Sequence, residues 1–253
     1  MARAVRLSRR DEIGKTSRQR EVRVTFKNRE EAGRRLVERL VQYRDDPTAI
    51  ILALPRGGVA VGYQLSLGLR LPLDVFITRK LGAPDNPEYA LGAVSETGTI
   101  YLNPDAMAAY SGFRTDIEEL VQVQRREIVR RKVLYRQDRH FPTLTDRIVI
   151  LVDDGIATGS TFLAAAQSIR HLNPRRLIGA IPVGPMETIQ EVRRQVDELV
   201  VLATPEPFLA VGNHYLDFAQ VSDHDVVEYL NLADESLLDW KEQTHSSTAS
   251  PPR

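Results

Sequence analysis

Short unbroken apolar runs alternate along this chain with longer stretches in which apolar residues return every third or fourth position. The runs fall at 49–54, 71–78, 148–152, 176–183 and 199–203. A short run without polar alternation marks a strand buried on both faces, so five such strands are expected. The stretches between them predict helices over 28–43, 59–69, 115–140, 162–172 and 185–196. In the first, Asn28 stands at the N-cap with Glu31 three residues on and Phe26 near the staple position. Ala32, Leu36, Val37, Leu40 and Val41 then face inward, and Asp45-Asp46-Pro47 stops the helix. Glu96-Thr97-Gly98 predicts a hairpin turn between Ala93-Val94 and Thr99-Ile100-Tyr101. The repeated β-α-β order predicts an α/β fold: a doubly wound, mainly parallel five-stranded sheet flanked by helices, with ligands at the carboxyl ends of the strands. A flexible hairpin within 81–102 and a small C-terminal hood at about 204–223 complete the domain, which is expected over 23–240. Residues 1–22 read as a flexible basic arm and 241–253 as a disordered tail.

Composition narrows the classes. The chain has 253 residues, 42% of them hydrophobic and 27% charged, enough for one folded α/β domain. It has no Cys, which excludes disulfide scaffolds and thiolate metal sites. No apolar run is long enough to span a membrane, and 1–20 lacks the apolar core of a secretory signal, so a cytoplasmic protein is expected. The net charge is zero but unevenly spread: residues 181–240 hold 12 acids against Arg193 and Arg194, while 125–139 hold seven bases against two acids. That basic helix has a thin apolar stripe of Ile117, Leu120, Val121 and Ile128, no aromatic interleaving and no helix-turn-helix pattern. Nucleic acid is therefore disfavoured, and a solvated or subunit-contacting face is preferred.

The chemistry concentrates at 148–161, Ile-Val-Ile-Leu-Val-Asp-Asp-Gly-Ile-Ala-Thr-Gly-Ser-Thr. A buried strand feeding a Gly/Thr/Ser turn and a helix is a way to hold phosphate on backbone N–H groups and hydroxyls. Asp153 and Asp154 would repel a bare phosphate, so vicinal sugar hydroxyls or a phosphate-bound Mg²⁺ suit them better. The loop lacks the Lys-Ser/Thr ending of a P-loop. The strand–turn–helix design recurs after 49–54, where Pro55-Arg56-Gly57-Gly58 places a cation in the turn. The planar fork of Arg suits a diphosphate. A third run ends in Arg79-Lys80.

Together these motifs resemble those of the type I phosphoribosyltransferases, over about 48–223. The resemblance implies a pentosyltransferase that uses phosphoribosyl diphosphate (PRPP). It assigns the ribose hydroxyls to Asp153 and Asp154, and the 5′-phosphate to Gly155, Ile156, Ala157, Thr158, Gly159, Ser160 and Thr161. Arg56, Gly57 and Gly58 resemble the family's diphosphate loop, where a non-proline cis peptide is common, and Arg79 and Lys80 would add positive charge. Catalysis would rest on Arg56, Lys80, Asp153 and Asp154, with Mg²⁺ as cofactor, met by Asp153 and Asp154 through ribose or water. The family's hairpin is mobile and closes over the reacting centre, excluding water. Glu88 is a candidate proton-handling carboxylate there, although a solvated Glu is the plainer reading.

Residues 204–223 resemble the base-binding segment of the hypoxanthine–guanine enzymes. Phe208 or Leu209 would stack on the base, Ala210 would offer backbone groups and Asp217 would meet a polar edge. His214 reads as a loop donor. Ala157 stands where the 6-oxopurine enzymes carry an Asp, which argues against a simple hypoxanthine–guanine assignment. The expected function is transfer of the 5-phosphoribosyl group to a nitrogenous base, purine-like before a pyrimidine carboxylate, with release of pyrophosphate. A PRPP-sensing protein without turnover is the alternative, and a homo-oligomer is expected.

Overall fold

The computed structural model describes residues 26–84, 86, 89–109, 114–137 and 139–248. The expected arm at 1–22 and Glu88 lie outside them. Five strands form one sheet: β1 (Ala49–Ala53), β2 (Leu73–Val75), β6 (Ile148–Val152), β7 (Arg176–Val183) and β8 (Glu198–Ala203), in the order β2-β1-β6-β7-β8. Every pairing in it is parallel. Three further strands, β3 (Thr78–Gly82), β4 (Ala90–Ser95) and β5 (Ile100–Leu102), make a separate antiparallel sheet.

Both faces of the large sheet are covered, which is why its strands read as unbroken apolar runs. Ile51, Ala53, Ile150, Val152 and Ile178 point to one core, shared with α1 (Arg29–Arg39), α2 (Gly57–Leu69) and α7 (Asp223–Thr248). Ile50, Leu52, Val149, Leu151 and Leu177 point to the other, shared with α5 (Ser160–Arg170) and α6 (Met186–Arg193). The period-two alternation is thus intact, hidden because neither face is wet.

Several expectations need correction. The run 71–78 is not one strand. Phe76 N–H makes a last bond to Ala53 O, and Glu96 then takes the chain over: its carboxylate accepts from Ile77 N–H at 2.8 Å and its own N–H donates to Ile77 O at 2.8 Å. The backbone leaves the parallel sheet there, so Arg79 and Lys80 lie inside β3 and not at the end of a core strand. Arg136 locks this junction, donating to Glu96, Asp74 and Val75 O from a side chain that is 5% exposed. Arg136 closes α4 (Arg114–Arg136), whose inner face is Val121, Ile128 and Tyr135.

The hairpin turn falls as expected, with Gly98 in a left-handed conformation and its N–H on Ser95 O. The first helix is capped as expected, Asn28 accepting from Glu31 N–H at 3.0 Å. It ends at Arg39 and tightens into a 3₁₀ turn over Val41–Tyr43, which rotates Val41 outward to 50% exposure. The tail expected from 241 is helical to Thr248, because α7 starts earlier and runs through it. Its start is a reciprocal cap: Ser222 Oγ accepts from Asp225 N–H and Asp225 accepts from Ser222 N–H. Val226, Leu230 and Ala233 then bury one face at helical spacing. After β8 comes the hood, irregular but for a 3₁₀ turn at Val211–His214. It is tied to the start of the domain by Phe26, which bridges Tyr215.

Candidate active site

β1 and β6 are neighbours in register, Ala53 opposite Val152, so the loops leaving their carboxyl ends must meet. Leu54 N–H donates to Val152 O at 2.9 Å and carries the contact one residue further. Beyond it the Pro55–Arg56 peptide is cis, as the resemblance implied. Gly57 then lies flat against the second acid: a Cβ there would stand 1.8 Å from Asp154 Oδ2. Any side chain there would have to push the Asp154 carboxylate aside. The Arg-Gly-Gly turn and the acid pair are therefore one surface.

The two acids are partly shielded and adjoining. Asp153 Oδ1 accepts from Asp154 N–H at 2.9 Å. Burial, and then the neighbouring Asp154 charge, push the Asp153 carboxyl well above the ordinary range. Burial also raises Asp154, against the pull of Arg29. Arg29, at the first position of α1, donates Nε–H to Asp154 Oδ2 at 2.7 Å. Tyr215 donates its hydroxyl to Asp154 O. Nothing in the sequence pattern pointed to either residue.

The loop after the acids turns into α5 through Gly159, whose φ of 72° is left-handed and suits glycine. No side chain caps the first turn of α5, so its N–H groups remain directed at the loop. Thr158 and Ser160 hydroxyls stand 3.3 Å apart. Ala157 and Thr158 are exposed, and Ala157 O is held by the Thr188 hydroxyl at 2.8 Å. Ile156 departs from its expected place. Its side chain is core and its N–H is spent on Val183 O, so it offers no donor to a phosphate.

The cations gather on the other side of the Arg-Gly-Gly turn. Arg56 Nη1 lies 3.6 Å from Asp223 Oδ1, at the head of α7. Asp223 also accepts from the Tyr135 hydroxyl at 2.5 Å and from Arg130 at 2.9 Å. Burial pushes this carboxyl up, but those donors and the charges of Arg131 and Arg130 outweigh it and hold Asp223 down at about 2. Arg79 donates to Gln124 of α4 at 2.9 Å. Its pKa is lowered by burial and by the nearby charges of Arg131 and Arg56, which places Arg79 in the Arg56 field. Strand alternation sends Lys80 to the opposite face of β3, so Arg79 and Lys80 do not act as a pair on one face.

The four expected base contacts are divided. Phe208 stacks on His214 at 5.0 Å between ring centroids and lines a cavity of about 700 Å³ with Pro185, Met186 and Glu187. Leu209 is 70% exposed and Ala210 is exposed. Asp217 is exposed and lines a different cleft of about 190 Å³ with Arg29 and Tyr229. His214 is buried with both ring nitrogens unpartnered among the described residues, which removes it as a loop donor. On α7, His224, Asp225 and Glu228 bring three ligand atoms within 4.8 Å of one another, apart from the acid pair.

Residues 25–206 match the family model described as the phosphoribosyl transferase domain. Two Mycobacterium tuberculosis proteins named provisionally as phosphoribosyl transferases, Rv0571c of strain H37Rv and MT0597 of strain CDC 1551, are each 41% identical over 211 residues. The match covers 82% of this chain and 47% of each relative, so the chain spans about half the length of the curated relatives it matches. The crystal structure of TT1426 from Thermus thermophilus superposes with a TM-score of 0.68 at 39% identity, covering 82% of this chain and 98% of that one.

Proposed function

Because the chain belongs to the phosphoribosyl transferase domain family, we propose that it transfers the 5-phosphoribosyl group of PRPP to a nitrogenous base, purine-like before a pyrimidine carboxylate, and releases pyrophosphate. One observation carries the reading: the acid pair and the Arg-Gly-Gly turn touch at Gly57. A sugar held by the acids would thus present its C1 substituent to Arg56.

In this proposal Asp153 and Asp154 accept from the ribose 2′- and 3′-hydroxyls. Burial suits that role, since a hydroxyl donor relieves two crowded carboxyl groups without importing another negative charge. The uncapped first turn of α5, with Thr158, Ser160 and Thr161, takes the 5′-phosphate. Arg56 takes the diphosphate, with Arg79 adding to the field. A ring nitrogen of the base attacks C1′ as the C1′–diphosphate bond breaks; the electrons of that bond leave with pyrophosphate, and the proton of the attacking N–H passes to pyrophosphate or water. Positioning and charge stabilisation of the leaving group supply the rate. The two half-buried carboxylates are hard oxygen donors that would hold Mg²⁺ through water or by way of the ribose. When bound, that ion supplies neutralisation of the diphosphate. Phe208, beside the large cavity, is the base-stacking residue of choice. Soluble substrates agree with a cytoplasmic setting, and among the described residues no helix is long and apolar enough to cross a membrane.

A reading without turnover draws on one feature: Phe208 and Asp217 line separate cavities, so the base contacts are not assembled. Pyrophosphate release with PRPP and Mg²⁺, measured over a panel of bases, decides between them. Release that requires one base supports transfer. Tight PRPP binding with no release for any base supports sensing, and no PRPP binding at all rejects both.

A further inference from the structure

Arg29 reaches three parts of the site at once. Its Nε–H donates to Asp154 Oδ2 at 2.7 Å, and its Nη1–H donates to Ala219 O of the hood at 2.7 Å. Its guanidinium lies 3.7 Å from the centroid of the Phe218 ring. It also borders the diphosphate turn, since a Cβ on Gly57 would stand 3.0 Å from Arg29 Nε. The side chain is 12% exposed, so these contacts are made largely out of water, where charge-assisted bonds are strongest.

The placement is built. Asn28 caps α1 and fixes the backbone of the next residue, Arg29. Just before it, Leu216 N–H donates to Phe26 O and Asp217 N–H to Lys27 O, so the segment entering α1 is stitched to the hood. Any shift of the hood must therefore move Arg29, and Arg29 holds the acid.

We propose that Arg29 is a positioning residue that orients Asp154 for the ribose hydroxyls and couples the hood to the sugar subsite. The proposal rests on the reading of the acid pair as the ribose site. Without Arg29, Asp154 loses the only cation bonded to it among the described residues and turns freely beside Asp153. A hydroxyl that needs a fixed acceptor is then recognised poorly. The diphosphate, held by Arg56 on the far side of Gly57, is less affected.

The test uses calorimetric titration of the full chain with ribose 5-phosphate, 2-deoxyribose 5-phosphate and pyrophosphate. The unaltered protein is expected to prefer the ribose compound. Arg29→Ala should weaken ribose 5-phosphate by about ten- to a hundredfold, the size of one charge-assisted hydrogen bond, and bring the ribose-to-deoxyribose ratio toward one. Pyrophosphate affinity should fall by a clearly smaller factor, since Arg29 bonds to the acid and the hood and meets the diphosphate turn at Gly57 rather than at the Arg56 side chain. Arg29→Lys, which keeps the charge but not the fork, should restore part of the ratio. Phe218→Leu, which removes the stacked ring, should shift the ratio in the same direction by a smaller factor. An unchanged ratio in Arg29→Ala overturns the inference while leaving the ribose site standing. Equal weakening of all three ligands overturns it too, as that is the mark of a purely structural role. If the unaltered protein binds neither sugar phosphate nor PRPP, the proposed function falls and the inference with it.

Discussion

Replacing Arg56 by Ala separates the two halves of the proposed site. The Arg56 side chain is 32% exposed, and its ion pair with Asp223 is 3.6 Å long. An open pair of that length contributes less than about 1 kcal/mol to folding, so the melting temperature should scarcely move. Toward a diphosphate the same group makes charge-assisted hydrogen bonds, each about 1.5–3 kcal/mol. Arg79 and Arg131 share the field and remain in the variant. Their presence caps the expected loss at about 2–3 kcal/mol, roughly 30- to 150-fold. Calorimetry should show that loss for pyrophosphate and PRPP and almost none for ribose 5-phosphate. Asp223→Asn works in the opposite direction, because it removes the carboxylate that competes with a diphosphate for Arg56, Arg130 and Tyr135. Its pyrophosphate affinity should rise. Equal weakening of all three ligands in Arg56→Ala, or a fall in Asp223→Asn, would refute the assignment of Arg56 to the diphosphate.

Four further outcomes are expected. Asp153→Asn combined with Asp154→Asn should abolish PRPP binding by calorimetry and leave the circular-dichroism spectrum intact, as both acids stand beyond the end of β6; retained binding would exclude them as the ribose site. Gly57→Ala should cost PRPP affinity in the same assay, since its Cβ must displace the Asp154 carboxylate at 1.8 Å. Arg136→Ala should lower stability to denaturant by about 3–5 kcal/mol, because it strands Glu96 and Asp74, which are 3% and 16% exposed. Asp223, depressed from 3.8 to about 2, should stabilise the fold above its unfolded pKa by about 1 kcal/mol once solvent screening is allowed for. That advantage over Asp223→Asn is lost as the pH falls through about 2, and an advantage that instead grew on acidification would show the ion cluster to be misread.

The local pattern of this sequence determined most of the parallel sheet, the helices between its strands and both loops at the strand ends, but not α7 or the split of the run 71–78. Unbroken apolar runs such as 148–152 have few structural uses, and the Gly turns after 49–54 and 148–152 leave few geometries. The neighbouring acids and the Arg-Gly-Gly turn were legible for the same reason: each motif is contiguous. What only the tertiary structure decided is which charges meet. Arg29 and Asp154 are 125 residues apart, and their pairing follows from strand order and from Phe26 joining the hood. Glu96 captures Ile77 and ends a run that reads as a single strand, because a buried carboxylate outbids a sheet edge for one N–H. Arg79 and Lys80 look like a pair in the chain but lie on opposite faces, since period-two geometry separates every two neighbours in a strand. Periodicity reports whether a residue is buried, whereas ion pairing depends on which distant segment is buried beside it.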